Sequence, residues 1–425
     1  MKIVFVILFI GWSFTQSTSL SLYGVGDKSI VTDVATIALG NSTFFSGNKY
    51  NISTNSSSSL WRSSLTRFTI HSGMNYLTNL QIPKQYEHEL TFFSLMFPVG
   101  NKKVIGLGIQ PAFRTNKIEI EEMFQYNNNS SLPFAYYHKY FVNGGISKVF
   151  IQYSWKAANN LSFGFQYSSL FGNQFIEDEL YICKVKSDTL KSNGIVITEM
   201  IDNGITYYIH PDPANSEIIN VTKSHQFTGS EIMIEGRYST FKQEWAFRIG
   251  FNGETSVKTK MEQIFPNYLN SKYVNTSDGK LSEIDFGYHY KLSDHLGIVL
   301  ESQSNYPFNI PKSVALFHTL PPKGTSINIG TYYQYINPKV GFWNNINLRG
   351  GGYLKELNFT KEKYLDYGIT VGLGLEYLAN TQSLDFAFRF GNKESFIIEG
   401  ENENYISFHI GITTGEKWFF NSRRK

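Results

Sequence analysis

The sequence predicts an all-β protein, a transmembrane antiparallel up-and-down β-barrel of about fourteen strands with an N-terminal plug segment. Three observations carry this. Apolar and polar residues alternate with period two from about residue 63 onward, and the connections between alternating stretches are short and long in turn. Aromatic residues make up 16% of the chain and charged residues only 17%. Charged residues usually run near 25%, so the aromatic faces look for a neighbour other than water.

The N-terminus reads as an address rather than as structure. In residues 1–19, MKIVFVILFIGWSFTQSTS, Lys2 precedes an apolar run and small polar residues follow it. That is the order of a secretory signal peptide. The run is far shorter than the ~20 apolar residues of a spanning helix, and no cysteine follows for a lipid anchor. Residues 20–62 lack alternation and contain YNISTNSSSS (50–59), too polar for a lipid-facing strand. A linker and a plug folded into the barrel mouth are the two readings.

The barrel is expected over 63–420, with a basic periplasmic tail at 421–425. Strands are expected near 64–72, 87–97, 103–113, 145–155, 160–170, 226–239 and 242–254. Seven more follow near 280–291, 295–304, 325–336, 343–354, 366–378, 382–390 and 404–414. Short connections include 98–102, 156–160, 240–242, 292–294 and 379–382. Long ones cover 114–144, 171–225, 255–279, 305–324 and 391–403. Outer-membrane barrels alternate short periplasmic turns with long external loops, whereas a soluble sandwich has no reason to sort its loops this way. An even number of strands puts both termini in the periplasm.

The stretch 367–377 shows the face logic. Tyr367, Ile369, Val371, Leu373, Leu375 and Tyr377 share one face, and Gly368, Thr370, Gly372, Gly374 and Glu376 the other. Side chains alternate across a strand, so the first face suits lipid and the second a lumen. The same alternation sends Arg248, Asp285, Glu301, Arg349, Glu376, Asp385 and Arg389 to the lumen side. A paired structural network is one reading of these charges; an arginine that receives a carboxylate head group is the other. Gly350-Gly351-Gly352 reads either as a bend in the wall or as close packing against a plug.

No Gly-x-Ser-x-Gly elbow, His-Glu-x-x-His helix or phosphate-binding loop occurs, so a barrel hydrolase is the least favoured class. No cofactor or metal is called for: the histidines are scattered, with His289 and His409 on inward faces as ordinary lumen residues. Cys183, the only cysteine, falls in an expected external loop. A net charge of +3 does not point to nucleic acid.

Several stretches resemble FadL-type outer-membrane transport proteins, especially their Bacteroidota-like branch. They are SLYGVGD (21–27), NSSSSLWRSSLTRF (55–68), ELTFFSLMFPVGNKKVIGLGIQPAF (89–113) and FVNGGISKVFIQYSWKAANNLSFGFQYSSLFG (141–172). The closing stretch 366–420 resembles the same branch, and it ends in aromatics, Trp418-Phe419-Phe420, like the end signal of such barrels. The resemblance implies a barrel in the bacterial outer membrane that takes up hydrophobic compounds, such as long-chain fatty acids, without energy input. It implies a monomer among outer-membrane lipids, inserted by the barrel-assembly machinery. It also implies an N-terminal hatch and a sideways exit through the wall. The family's hatch carries Asn-Pro-Ala; the best match here is Asn55-Ser56-Ser57, which lacks the proline and alanine. Other expected roles are a secretion-system shuttle or surface anchor holding protein cargo, and a general porin.

Overall fold

A computed structural model describes residues 27–28, 33–48, 51–79, 85–121, 125–127, 134–189, 196–202, 205–263, 268–276, 280–306, 323–336, 343–358, 363–378, 381–395 and 402–417. The expected signal peptide, the terminal aromatics 418–420 and the tail 421–425 lie outside them.

Fourteen long antiparallel strands close on themselves. In order they are β1 (Thr66–Asn79), β2 (Gln85–Gly100), β3 (Lys103–Glu121), β4 (Phe134–Lys156), β5 (Leu161–Asp188), β6 (Ile205–Ser239) and β7 (Gln243–Gln263). There follow β8 (Lys280–Lys291), β9 (Leu296–Asn305), β10 (Lys323–Ile336), β11 (Trp343–Asn358), β12 (Lys363–Tyr377), β13 (Gln382–Ser395) and β14 (Asn402–Glu416). Each pairs with its chain neighbours, and β14 pairs back onto β1 from Glu416–Thr66 to Glu403–Asn79. Closing β14 onto β1 leaves no end strand to satisfy in lipid, which is why a barrel can span a membrane.

Alternation has the physical meaning expected of it. On β12, Ile369 and Val371 are exposed while Thr370 and Glu376 are buried. On β7, Trp245 and Phe247 face out, while Ala246 and Arg248 face in. The outer face is thus an apolar belt, and the inner face is polar, as lipid outside and a lumen inside require. Tyr153, Trp155, Phe163, Phe165, Phe388 and Phe390 are among the aromatics the belt exposes.

All fourteen expected strands are present, but three expected long loops are corrected. Much of 114–144, 171–225 and 255–279 is strand: β4, β5, β6 and β7 continue as paired ribbon well past the belt. A 28-residue β5 measures about 90 Å along the strand, against the 9–11 residues a span requires. Outside the belt neither face meets lipid, so the alternation that reveals a strand fades. The result is a wall rising on one side of the mouth, edged by Tyr268–Thr276 paired to β7.

Residues 33–48 and 51–62 lie inside the barrel and nearly all are buried. Asp33 opens a single helical turn, α1 (Val34–Ile37), by accepting from the Ala35 amide at 3.1 Å. Its second oxygen accepts from the Thr54 amide at 3.1 Å and hydroxyl at 2.7 Å, folding the segment back on itself. A 3-10 turn, Ser57–Arg62, then leads into β1. The wall makes room for this chain with glycine. A Cβ on Gly330 would lie 2.7 Å from the Leu39 carbonyl, and one on Gly351 would press on the Gly40 backbone. Gly350-Gly351-Gly352 therefore serves close packing: the β10–β11 ladder runs through it without a register shift.

Candidate functional site

Three features share the lumen: an ion-paired dock for the inner segment, a polar cavity above it, and a seam in the wall.

The dock is centred on Arg237 of β6, fully buried. Its guanidinium donates to Ser58 Oγ at 3.0 Å, Ser56 Oγ at 2.7 Å, the Phe44 carbonyl at 2.8 Å and Glu244 at 3.0 Å. Glu244 also accepts from Arg62 of the inner segment at 2.9 Å. Glu235, two residues before Arg237 on the same inward face, accepts from the hydroxyls of Ser56 and Ser58 and from Arg248 at 3.1 Å. Arg248 in turn donates to the Asn55 carbonyl and pairs with Glu283 at 3.6 Å and Asp285 at 3.5 Å. It lies 5.0 Å from the centre of the Phe44 ring, and Arg237 lies 4.9 Å from that of Phe45. Glu301 accepts from the Thr43 and Phe44 amides at 2.6 and 3.0 Å and from the Ser42 hydroxyl.

The sequence-derived residues fall into place around this dock. Asn55, Ser56 and Ser57 lie against β6 and β7, with Ser57 packed over Gly164. Arg248, Asp285 and Glu301 belong to the dock. Arg349 and Asp385 form a second tie, 2.7 Å apart, and Arg349 also donates to the Ser46 carbonyl at 2.8 Å. Glu376 accepts from the Asn345 and Asn347 amides at 2.8 and 3.1 Å. Arg389 stands apart, 4.8 Å over the Tyr405 ring. Sequence reasoning missed Glu235, Arg237 and Glu244. The signal was there, since Glu231, Met233, Glu235 and Arg237 alternate with Ile232, Ile234, Gly236 and Tyr238.

Above the dock is a polar cavity bounded by Thr43, Asn55, Gln152, Gln166, Arg248 and Gln303, among others. It has room for a few waters. Higher still, the inward side chains of β3 to β7 become apolar: Phe113, Ile146, Leu170, Phe227 and Val257 form one buried cluster.

The seam lies beside that cluster. β2 and β3 pair from Gly100–Lys103 only as far as Phe93–Ile109. Both strands continue, β2 through Gln85–Phe92 and β3 through Gln110–Glu121, without pairing to one another among the described residues. Asp27 and Lys28 pair instead with Arg114 and Phe113 of β3. The opposite edge of β3 at these residues is held by β4, so the N-terminal chain sits on the edge that β2 vacates.

Cys183 is on β5 rather than in a loop, and it is buried. Burial pushes its thiol pKa up, which makes it unreactive rather than nucleophilic.

A closed antiparallel barrel with a lipid-facing belt and an occupied lumen defines an outer-membrane β-barrel. The BamG family model matches residues 1–425, and the chain belongs to that family. Among solved structures, a Pseudomonas aeruginosa FadL homologue is similar at TM-score 0.55 and 10% identity, over 92% of this chain and 99% of that one. The CymD monoaromatic hydrocarbon channel is similar at 0.53 and 11%, over 92% and 100%. The Pseudomonas putida toluene transporter TodX follows at 0.50 and 10%, over 93% and 100%. At these identities the likeness is one of fold. No curated protein matches the chain.

Proposed function

We propose that this protein is a monomeric outer-membrane channel for passive uptake of hydrophobic compounds, long-chain fatty acids among them. Passage needs neither chemistry nor energy. The observation that supports it best is the seam. The wall parts between β2 and β3 beside an inward apolar cluster, while the lumen below is polar and tied shut by the dock. A hydrophobic solute entering from outside meets apolar contact that leads sideways, toward the membrane. Residues 20–62 act as the plug, with Asn55, Ser56 and Ser57 as its hatch contact. The likeness in fold to hydrocarbon and toluene channels agrees with this reading.

The test is uptake of radiolabelled oleate and toluene by proteoliposomes, with Phe113→Arg as the blocked form. Protein-dependent uptake that falls at least tenfold in Phe113→Arg supports the channel. Rates equal to those of protein-free vesicles refute it.

A second reading is favoured by the wall of β4 to β7, which stands far outside the belt as a surface for protein partners. It covers the secretion-shuttle and surface-anchor roles, and the BamG name points to the barrel-assembly machinery as the partner. Crosslinking that recovers that machinery in stoichiometric amount, without lipophile uptake, would favour it. The dock argues against a general porin, and sucrose flux through the same vesicles is the check.

A further inference from the structure

Next to the seam, three inward side chains on adjacent strands have no hydrogen-bond partner among the described residues: Asn75 on β1, Thr91 on β2 and His409 on β14. They are only 1%, 3% and 4% exposed. Both amide atoms of Asn75, both ring nitrogens of His409 and the Thr91 hydroxyl are unmet. His409 and Thr91 meet over Gly73, with Asn75 next along the same inward face of β1. The β1–β14 register sets His409 opposite Gly73, and a Cβ on Gly73 would lie 2.6 Å from His409 Nδ1 and 3.4 Å from Thr91 Cγ2. Asn75 is the next inward residue along β1. Thr91 is the extra residue of a bulge, because the β1–β2 ladder slips between His71 and Ser72.

Unmet polar atoms buried this deeply are costly, and proteins retain them chiefly where water or a ligand completes them. Here they adjoin the one place where the wall parts among the described strands. Phe92 provides apolar continuity from this group toward the seam. It stacks on His71 at 5.3 Å and on Phe150 of β4 at 6.0 Å, reaching past β3 where Gly108 has no side chain.

We propose that Asn75, Thr91 and His409 form a polar subsite for the uncharged head group of an amphiphile, an alcohol or amide, whose hydrocarbon tail lies along Phe92 toward the seam. The chemistry selects this class. An amide, a hydroxyl and an uncharged imidazole each offer both a donor and an acceptor. A carboxylate only accepts, so it would leave the Asn75 oxygen and one His409 nitrogen unmet. A bare hydrocarbon satisfies none of them. A hydroxyl or amide both gives and takes. The subsite rests on the proposed passage of hydrophobic compounds and narrows it.

The test is retention of 1-decanol, decanoate and decane, at equal concentration, by the purified full-length protein in detergent, read by native mass spectrometry. The wild type should retain decanol at least tenfold over both others. Thr91→Val, which conserves volume, and Asn75→Leu should abolish that preference while still retaining decane. Heat-modifiability on a gel confirms that each variant is a closed barrel, and Thr91→Val stands as the test if Asn75→Leu does not fold. Equal retention of all three by the wild type, the result of a subsite filled only by water, would overturn the subsite and leave the passage intact. Retention of none would overturn both. A decanol preference unchanged in Thr91→Val would also sink the assignment.

Discussion

Replacing Arg237 with alanine should release the inner segment without opening the barrel. The arginine is fully buried and joins two β-strand carboxylates to three acceptors on the inner segment: Ser56, Ser58 and the Phe44 carbonyl. Removing one partner of a buried ion pair costs about 3–5 kcal/mol, most of it from the charge left behind. Here the charges left behind keep partners: Glu244 still has Arg62 at 2.9 Å, and Glu235 still has Arg248 at 3.1 Å. The lower end, about 3 kcal/mol, is therefore the fitting figure. At about 1.4 kcal/mol per factor of ten, docking should weaken on the order of a hundredfold. Arg237→Lys should fall between, because an ammonium keeps the charge but loses the planar fork. Planar-bilayer conductance and trypsin sensitivity at Arg62 read the change directly. Wild-type conductance and an uncut Arg62 in a heat-modifiable Arg237→Ala barrel would refute the view that this network holds the plug.

Other outcomes follow from the same geometry. Gly351→Val should prevent the inner segment from seating, since its side chain would meet the Gly40 backbone and the Ile329 carbonyl, 2.6 Å from the Cβ. Gly236→Ala should behave as wild type, its nearest neighbours being 3.9 Å away on Phe163; trypsin sensitivity separates the two. Val371→Arg, on the lipid face and exposed, should cost about 2–4 kcal/mol if it lies near the bilayer midplane, measured by urea titration in liposomes. Cys183 should resist maleimide at pH 7 on intact cells, since burial raises its thiol pKa and so lowers the thiolate fraction. It should label fully on unfolding, and rapid labelling of the folded protein would contradict its placement.

What could be read beforehand was the face each residue takes, and what could not was register. Arg248 and Asp285 both fell on the polar side by alternation. Their 3.5 Å approach follows from a β7–β8 ladder that sets one opposite the other. Period two carries no information about which residues of two strands meet. Asn55-Ser56-Ser57 could be located, but its contacts depend on strands nearly 200 residues away. The upper halves of β5 and β6 were lost for a different reason. At Asn173-Gln174 and Glu177-Asp178-Glu179 both faces are polar, so a paired ribbon there looks like a loop.

The seam shows how a polar lumen and the proposed hydrophobic cargo are compatible. A plug held by buried charges is a poor path for an apolar solute, because each carboxylate and guanidinium it displaced would lose its partners. The same charges are well suited to keeping a plug seated while something else moves. Apolar side chains concentrate at Phe113, Ile146, Leu170, Phe227 and Val257, above the dock and beside the one described break in the ladder. Among the described residues, Asp27 and Lys28 seal it with two backbone pairs, whereas the rest of the wall is zipped along whole strands. If passage occurs, the weakest part of the wall and its most apolar lining coincide, and the plug need not leave. Arg237→Ala should then raise ion conductance and leave lipophile uptake unchanged. A parallel rise in both would place the route through the plug instead.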